Sequence, residues 1–232
     1  MILAIDTSAT SGSIALVEDG LLKGERTVAS AGPHAKWLLE SIAALCDESS
    51  VAPGDIDLYA VSIGPGSFTG LRIGLTTIKG LAWSSGRPVA GVSTLMALAL
   101  NAPFSGIPVA PVLDARKSEV YSALYSMRGR VQLPKTLMEG GAMSPDVLLR
   151  RLQELVPEPE PILFMGNGLA RYSEFIKENR KGALLAHEPL WHVRASNIAY
   201  LAASKAAEKV EPTGLTPLYL RKSEAEIRKK TS

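Results

Sequence analysis

The chain has 232 residues, 46% of them apolar and 21% charged, with a formal net charge of +2 and a single cysteine. That length can bury a substantial core, as one large domain or two small ones. The near-neutral balance argues against a dedicated nucleic-acid binder with a broad basic face, though not against a local patch, and the lone Cys46 excludes an intramolecular disulfide and fits a reducing compartment.

The opening Met-Ile-Leu-Ala-Ile-Asp has no basic leader or cleavage site and reads as a first strand over Ile2 to Asp6. No apolar run reaches the roughly 20 residues that cross a bilayer, so the expected setting is cytoplasmic, with no membrane partner. Ser13 to Val17 and Leu21 to Val28 read as strands about the Glu18-Asp19-Gly20 turn. From His34 the period turns helical, with Trp37, Leu38, Ile42, Leu45 and Cys46 on one stripe. After the Pro53-Gly54 turn, Tyr59 to Ile63 is a buried strand. It breaks on Gly64-Pro-Gly-Ser-Phe-Thr-Gly-Leu-Arg72 and hands over to a helix through Trp83. Val89 to Val92 is a further strand and Thr94 to Leu100 a short helix.

The same alphabet then restarts. Val109 to Asp114 and Val120 to Ser126 are strands, and Val131 to Leu137 pairs back across an Arg128-Gly129-Arg130 turn. Ser144-Pro145 caps a helix through Leu155. Ile162 to Met165 is a strand ending in Gly166-Asn-Gly168, Ala170 to Glu178 a helix, Ala183 to Ala186 a last strand, and Ala195 to Val210 an alanine-rich helix. The repeated element order predicts an α/β protein of two halves, each a mixed sheet flanked by helices. The expected domains are residues 1–103 and 104–215, with the last helix able to return to the first half, and a charged tail over 216–232.

Asp6-Thr7-Ser8 ends the first strand. A carboxylate and two hydroxyls there suit a metal-bound water and a phosphate, or simply cap a turn. The loop from Gly64 to Gly70 leaves helix-start N–H groups that suit an anion or a close backbone neighbour. It lacks the Lys-Ser/Thr of a P-loop and the spacing of a nucleophile elbow. Gly166 and Gly168 could shape a nucleotide site or a plain turn. His34 has Leu38, not a second histidine, one turn on, and His187 and His192 lie far along the chain, so no metal site is expected. The helix after the glycine loop is apolar on nearly every side, which a single domain does not normally cover.

Taken together, Ala4-Ile-Asp-Thr-Ser8, Gly64 to Arg72, Asp114-Ala-Arg116 with Glu119-Val-Tyr121, and Pro217-Leu-Tyr-Leu-Arg221 resemble the TsaB (YeaZ) family over the whole chain. The resemblance implies two ribonuclease-H-like halves of the actin/Hsp70 (ASKHA) fold. It implies an accessory role beside a catalytic TsaD-like paralogue and a TsaE-like ATPase, in threonylcarbamoyl transfer to the adenosine beside the anticodon of tRNA. That paralogue holds a metal with two histidines, of which only His34 has a counterpart here. A non-catalytic scaffold requiring no cofactor is therefore expected, meeting its partner, or a second copy in a homodimer, through Trp37, Leu38, Ile42, Leu45, Gly70, Leu71, Ile73, Gly74, Leu75 and Ile78, and reaching tRNA mainly through the complex. Two alternatives stand beside it. One is a weak ATPase binding ATP or ADP with magnesium, at a subunit junction, through Asp6, Thr7, Gly166 and Gly168. The other is a metalloprotease-like enzyme.

Overall fold

A computed structural model describes residues 1–29, 34–127, 133–204 and 207–220, with side chains 29–36 outside that description. In the first half β1 (Ile2–Asp6), β2 (Ser11–Glu18) and β3 (Leu21–Ala29) form a meander, followed by α1 (His34–Glu48), β4 (Leu58–Gly64), α2 (Phe68–Ser85), β5 (Val89–Ser93) and α3 (Thr94–Ala99). The second half repeats the pattern: β6 (Val109–Arg116), β7 (Glu119–Ser126), β8 (Lys135–Met143), α4 (Pro145–Leu155), β9 (Ile162–Met165), α5 (Leu169–Asn179) and β10 (Ala183–Leu185). The chain then returns through α6 (Ala195–Ala203) and β11 (Lys209–Val210). One sheet runs β11-β5-β4-β1-β2-β3 and the other β10-β9-β6-β7-β8.

Strand alternation sorts the first sheet into two unlike faces. Leu3, Ile5, Ile14, Leu16, Tyr59 and Val61 point to one side and pack with Leu38, Leu45, Leu71 and Ile78 of α1 and α2. On the other side the register sets Ala15 beside Ala4, Ala4 beside Ala60, and Ala60 beside Ala90. This row of methyl groups across four strands admits the small-residue face of α6, whose Ala195, Ala199 and Ala202 are buried in the same cluster. The N-terminus of α6 is fixed from the sheet as well. Ala195 N donates to Ser13 Oγ at 3.1 Å, and Ser196 N donates to Glu25 Oε1 at 2.9 Å. Glu25 thus caps a helix 170 positions away, where Arg194 at the N-cap makes no side-chain cap of its own.

The central cluster continues into the second sheet through Leu95, Leu98, Val109, Leu113, Ala123 and Tyr125. Burial pushes the Tyr125 phenol up to about 12, against the opposing pull of its hydrogen bond with Ser93. On the outer face of that sheet α4 and α5 cover Phe164, Val112 and Leu124. Arg180 is buried just beyond α5, donating to Val156 O at 2.9 Å and Glu160 O at 3.2 Å.

Two sequence expectations are corrected. The alanine-rich helix stops at Ala203, and Lys209–Val210 instead pairs antiparallel with Ala90 and Val89 at the edge of the first sheet. Of the strand expected over Val131 to Leu137, residues 131 and 132 lie outside the described residues, and the observed strand runs from Lys135 to Met143. The turn expected at Arg128–Arg130, and the tail from Arg221, lie outside the described residues. Among the described residues no helix is long and apolar enough to cross a membrane.

The alanine row generates a stability test. Ala60→Leu should overpack the α6 contact and destabilise the fold by about 1–3 kcal/mol in urea unfolding, whereas Ala43→Leu on the exposed face of α1 should change it by less than about 0.5 kcal/mol. The Tyr125 shift gives a second. Its stabilising share is fully present below pH 10, where folded and unfolded phenols are both protonated, and is lost as pH rises toward 12, by about 2 kcal/mol. Tyr125→Phe should flatten that part of the pH–stability curve.

Candidate functional site

The end of β1 and the start of α2 meet backbone to backbone. A Cβ added at Gly66 would fall 2.4 Å from Ser8 O, one at Gly70 would fall 2.0 Å from Thr7 O, and one at Gly74 would fall 2.4 Å from Thr7 Oγ1. Only glycine permits such an approach. Gly64 sits at φ +123, and the Gly64–Pro65 peptide bond is cis. The chain then turns so that Ser67 N donates to Ser8 O at 2.7 Å. Ser67 caps α2, its hydroxyl accepting from Gly70 N at 3.3 Å.

Two of the groups expected to serve a phosphate, the Thr7 hydroxyl and Asp6 Oδ1, make hydrogen bonds inside this knot. The Thr7 hydroxyl donates to Gly70 O at 2.8 Å. Asp6 Oδ1 accepts from Ser62 Oγ, and from Ser8 N at 3.3 Å. Asp6, Thr7, Ser8 and Ser62 are all at most 2% exposed, and Ser8 Oγ is buried without a hydrogen-bond partner. Arranged this way, the cluster clips a strand to a helix.

The second half builds the same device. Gly168 N donates to Val112 O at 3.0 Å, and a Cβ at Gly166 or Gly168 would meet Val112 O at 2.4 or 2.9 Å. Asn167 Oδ1 accepts from Asp114 N at 3.0 Å, and Asp114 Oδ1 accepts from Arg116 N at 2.9 Å. The Asp114–Arg116 motif and the Gly166–Gly168 loop are thus one hydrogen-bonded unit. Arg116, Lys117 and Ser118 at its tip all have positive φ. The crowding at Gly166 and Gly168 comes from β6 and Leu98, with Asp6 and Thr7 absent from it.

Among the described residues the histidines form no metal-ligand constellation. His192 bridges Ser11 Oγ at 3.0 Å and Glu188 Oε1 at 2.7 Å, tying the approach to α6 onto β2. The side chain of His34 lies outside the described residues, and Leu38, where a second helical ligand would stand, is fully buried. Among the described residues no group of three His, Cys, Asp or Glu is placed to hold a metal ion.

The apolar helices need less external cover than their sequences imply. Leu38, Ile42, Leu45, Leu71, Leu75 and Ile78 are each no more than 7% exposed and belong to the chain's own core. Trp37 and Ile73 are half-buried against the same cluster, and the Trp37 ring fills the space over Gly12. Gly70 and Gly74 admit Thr7, not a partner helix. Of the ten residues expected at a partner interface, Leu38, Ile42, Leu45, Gly70, Leu71, Gly74, Leu75 and Ile78 are thus buried within the chain, because the sheet takes one side of each helix, while Trp37 and Ile73 keep a partly exposed edge. What faces solvent is another stripe, with Leu39 at 56% and Trp83 at 72% exposure and Thr69, Thr76 and Gly80 also exposed. A Cβ at Gly80 would meet nothing within 4 Å among the described residues. Leu39 and Gly80 were accessible from sequence only through register, because the helical pattern alone does not say which face a sheet will cover.

The family model for tRNA N6-adenosine threonylcarbamoyltransferase (TsaD) matches residues 28–229. The tRNA threonylcarbamoyladenosine biosynthesis protein TsaB of Bacillus subtilis is 35% identical, with 98% of this chain and 96% of that protein aligned. The chain belongs to the TsaB (YeaZ) family. A crystal structure of a YeaZ-like protein from Pseudomonas aeruginosa superposes with a TM-score of 0.80 at 30% identity, covering 95% of this chain and 99% of that one. At 10% identity, the ethanolamine utilization protein EutJ of Carboxydothermus hydrogenoformans shares the fold alone, with a TM-score of 0.51. The two-sheet architecture is that of the actin/Hsp70-like superfamily, as the TsaB sequence resemblance implies.

The strand–helix knot predicts a graded response. Thr7→Val, which removes the hydrogen bond from the Thr7 hydroxyl to Gly70 O while that carbonyl keeps its place in the helix, should cost about 0.5–1.5 kcal/mol. Gly70→Ala, which drives a methyl into the Thr7 carbonyl, should cost more, about 3 kcal/mol or beyond. Urea unfolding of both variants ranks them.

Proposed function

We propose that this TsaB-family chain acts in tRNA threonylcarbamoyladenosine biosynthesis as a non-catalytic scaffold. It pairs with a TsaD-like transferase, works with a TsaE-like ATPase, and reaches tRNA mainly through that complex; in its absence the same face supports a homodimer. The role calls on no cofactor held by this chain.

One observation carries the reading. Gly80 stands in the middle of an exposed helix face, where glycine is less favourable than alanine by about 1 kcal/mol. Among the described residues the space around it is open, so no packing between them accounts for it. A neighbouring helix pressed against α2 does, since a missing side chain lets two backbones approach. Trp83 lies three residues on, 72% exposed, and large exposed aromatics beside small residues are typical interface anchors. The internal use of the Asp6, Thr7 and Gly168 hydrogen-bonding groups supports the non-catalytic part of the proposal.

The test uses outward positions. Gly80→Arg and Thr76→Arg should leave the unfolding midpoint within a few degrees of wild type and weaken association with the TsaD-like partner of the same organism by about 100-fold, measured by calorimetry or analytical ultracentrifugation. Leu75→Glu should instead unfold the chain, because it buries a charge in the core. Unchanged association of both arginine variants would reject the face. Threonylcarbamoyl transfer to tRNA by the purified chain alone would reject the scaffold.

A further inference from the structure

Two sequence motifs far apart in the chain meet at the root of α2. Gly64 to Arg72 supplies Phe68 and Arg72, and Pro217-Leu-Tyr-Leu-Arg221 supplies Tyr219. The segment after α6 carries the second motif there. Leu215 is buried against Gly91, Leu218 N donates to Ile63 O at 2.8 Å, and the Leu218 carbonyl fills the space a Cβ on Gly64 would need. Tyr219 then lies beside Phe68, with ring centroids 5.2 Å apart and planes tilted by 32°. The Arg72 guanidinium lies 3.8 Å over the Phe68 ring, and its Nε donates to the Tyr219 hydroxyl at 3.2 Å.

This group is packed together and yet left at the surface. Phe68 is 39% exposed, Leu218 and Tyr219 are each 41% exposed, and Arg72 is exposed as well. Among the described residues no carboxylate pairs with Arg72, so its charge stands unneutralised on the aromatic rings. The sequence adds more charge beside it. Arg221 and Lys222 follow directly on Leu220, with Arg228, Lys229 and Lys230 further on, against Glu224 and Glu226. Exposed rings, a guanidinium held flat and a cluster of cations are the combination that takes unpaired nucleic acid, where rings stack bases and cations follow phosphates. An acidic protein surface would answer the cations but has no need of the rings. An apolar one would bury the Arg72 charge without a counter-charge.

We propose that Phe68, Arg72 and Tyr219 form a direct tRNA contact on this chain. Tyr219 stacks an unpaired base, Arg72 holds a neighbouring phosphate, and the basic residues after Leu220 add sequence-independent attraction. The inference rests on the reading that the chain works in tRNA modification, and it assigns part of the hold on tRNA to this subunit itself.

The test titrates fluorescein-labelled, unmodified tRNA transcript with the full chain, alone and in complex with the TsaD-like protein of the same organism, and follows anisotropy over a range of salt. Arg72→Ala should weaken binding about tenfold and lower the salt slope by about 1. Arg72→Lys should keep the slope and lose part of the affinity. Tyr219→Leu should weaken binding about tenfold with the slope unchanged, and Tyr219→Phe should recover most of that loss. Photocrosslinking of the wild-type chain to tRNA carrying 4-thiouridine needs no substitution, and should place crosslinks in the peptides that hold Phe68 or Tyr219. Affinity unchanged by both Arg72→Ala and Tyr219→Leu, or crosslinks confined to other segments, would overturn the contact. So would weaker association with the TsaD-like protein at unchanged tRNA affinity, since the patch would then be a protein contact. The scaffold reading is judged apart from this, by the association of the Gly80→Arg chain, so either can fail while the other stands.

Discussion

The structure depends on how closely α2 can approach the end of β1. Gly66 and Gly70 bring backbone against backbone at Ser8 and Thr7, nearer than any side chain allows. Protein interiors are packed densely enough that such a contact fixes position to a fraction of an ångström. With α2 set, Leu71, Leu75 and Ile78 enter the core together, and the opposite stripe of the helix turns outward. The loop's other glycine, Gly64, receives the C-terminal segment. The second lobe repeats the device with Gly166 and Gly168 on Val112. Two copies of one strand–loop–helix joint thus underlie two sheets with little sequence in common.

The joint also decides where the hydrogen-bonding groups of the loops are directed. Glycine loops at strand ends suit phosphates because their N–H groups point into open space. Here Ser67 N and Gly168 N point at carbonyls of neighbouring strands, and the Thr7 hydroxyl points at α2. The same geometry that would cradle an anion is closed upon the chain itself. The effect is rigidity at the joint between β1 and α2.

Much of this was legible in the residues. The doubled element order, the glycine loop and the buried strands follow from alternation and punctuation, and the motif set identified the family. The errors share a cause. An all-apolar helix announces that two sides are covered but not by what, so Leu38, Leu71 and Leu75 were assigned to a partner when a sheet of the same chain takes them. The alanine-rich stretch after Ala195 has helical propensity throughout. Its end at Ala203 and the pairing of Lys209–Val210 are set by the β5 edge, a long-range contact that local propensity does not register. Ser62, Glu25 and Leu215 gave no signal at all, because their importance lies in partners 56, 171 and more than 120 positions away.

The route of the chain has a temporal consequence. The first lobe is opened after α3, the whole second lobe is inserted, and only α6 and the strand after it return to complete the first. During synthesis the N-terminal sheet leaves the ribosome with its alanine row bare and its β5 edge unpaired. The middle portion, by contrast, emerges with all five of its strands in succession. Vectorial folding therefore favours the inserted lobe as the earlier finished unit. The older-born half waits, with an exposed small-residue groove, for the last thirty-odd residues to be made.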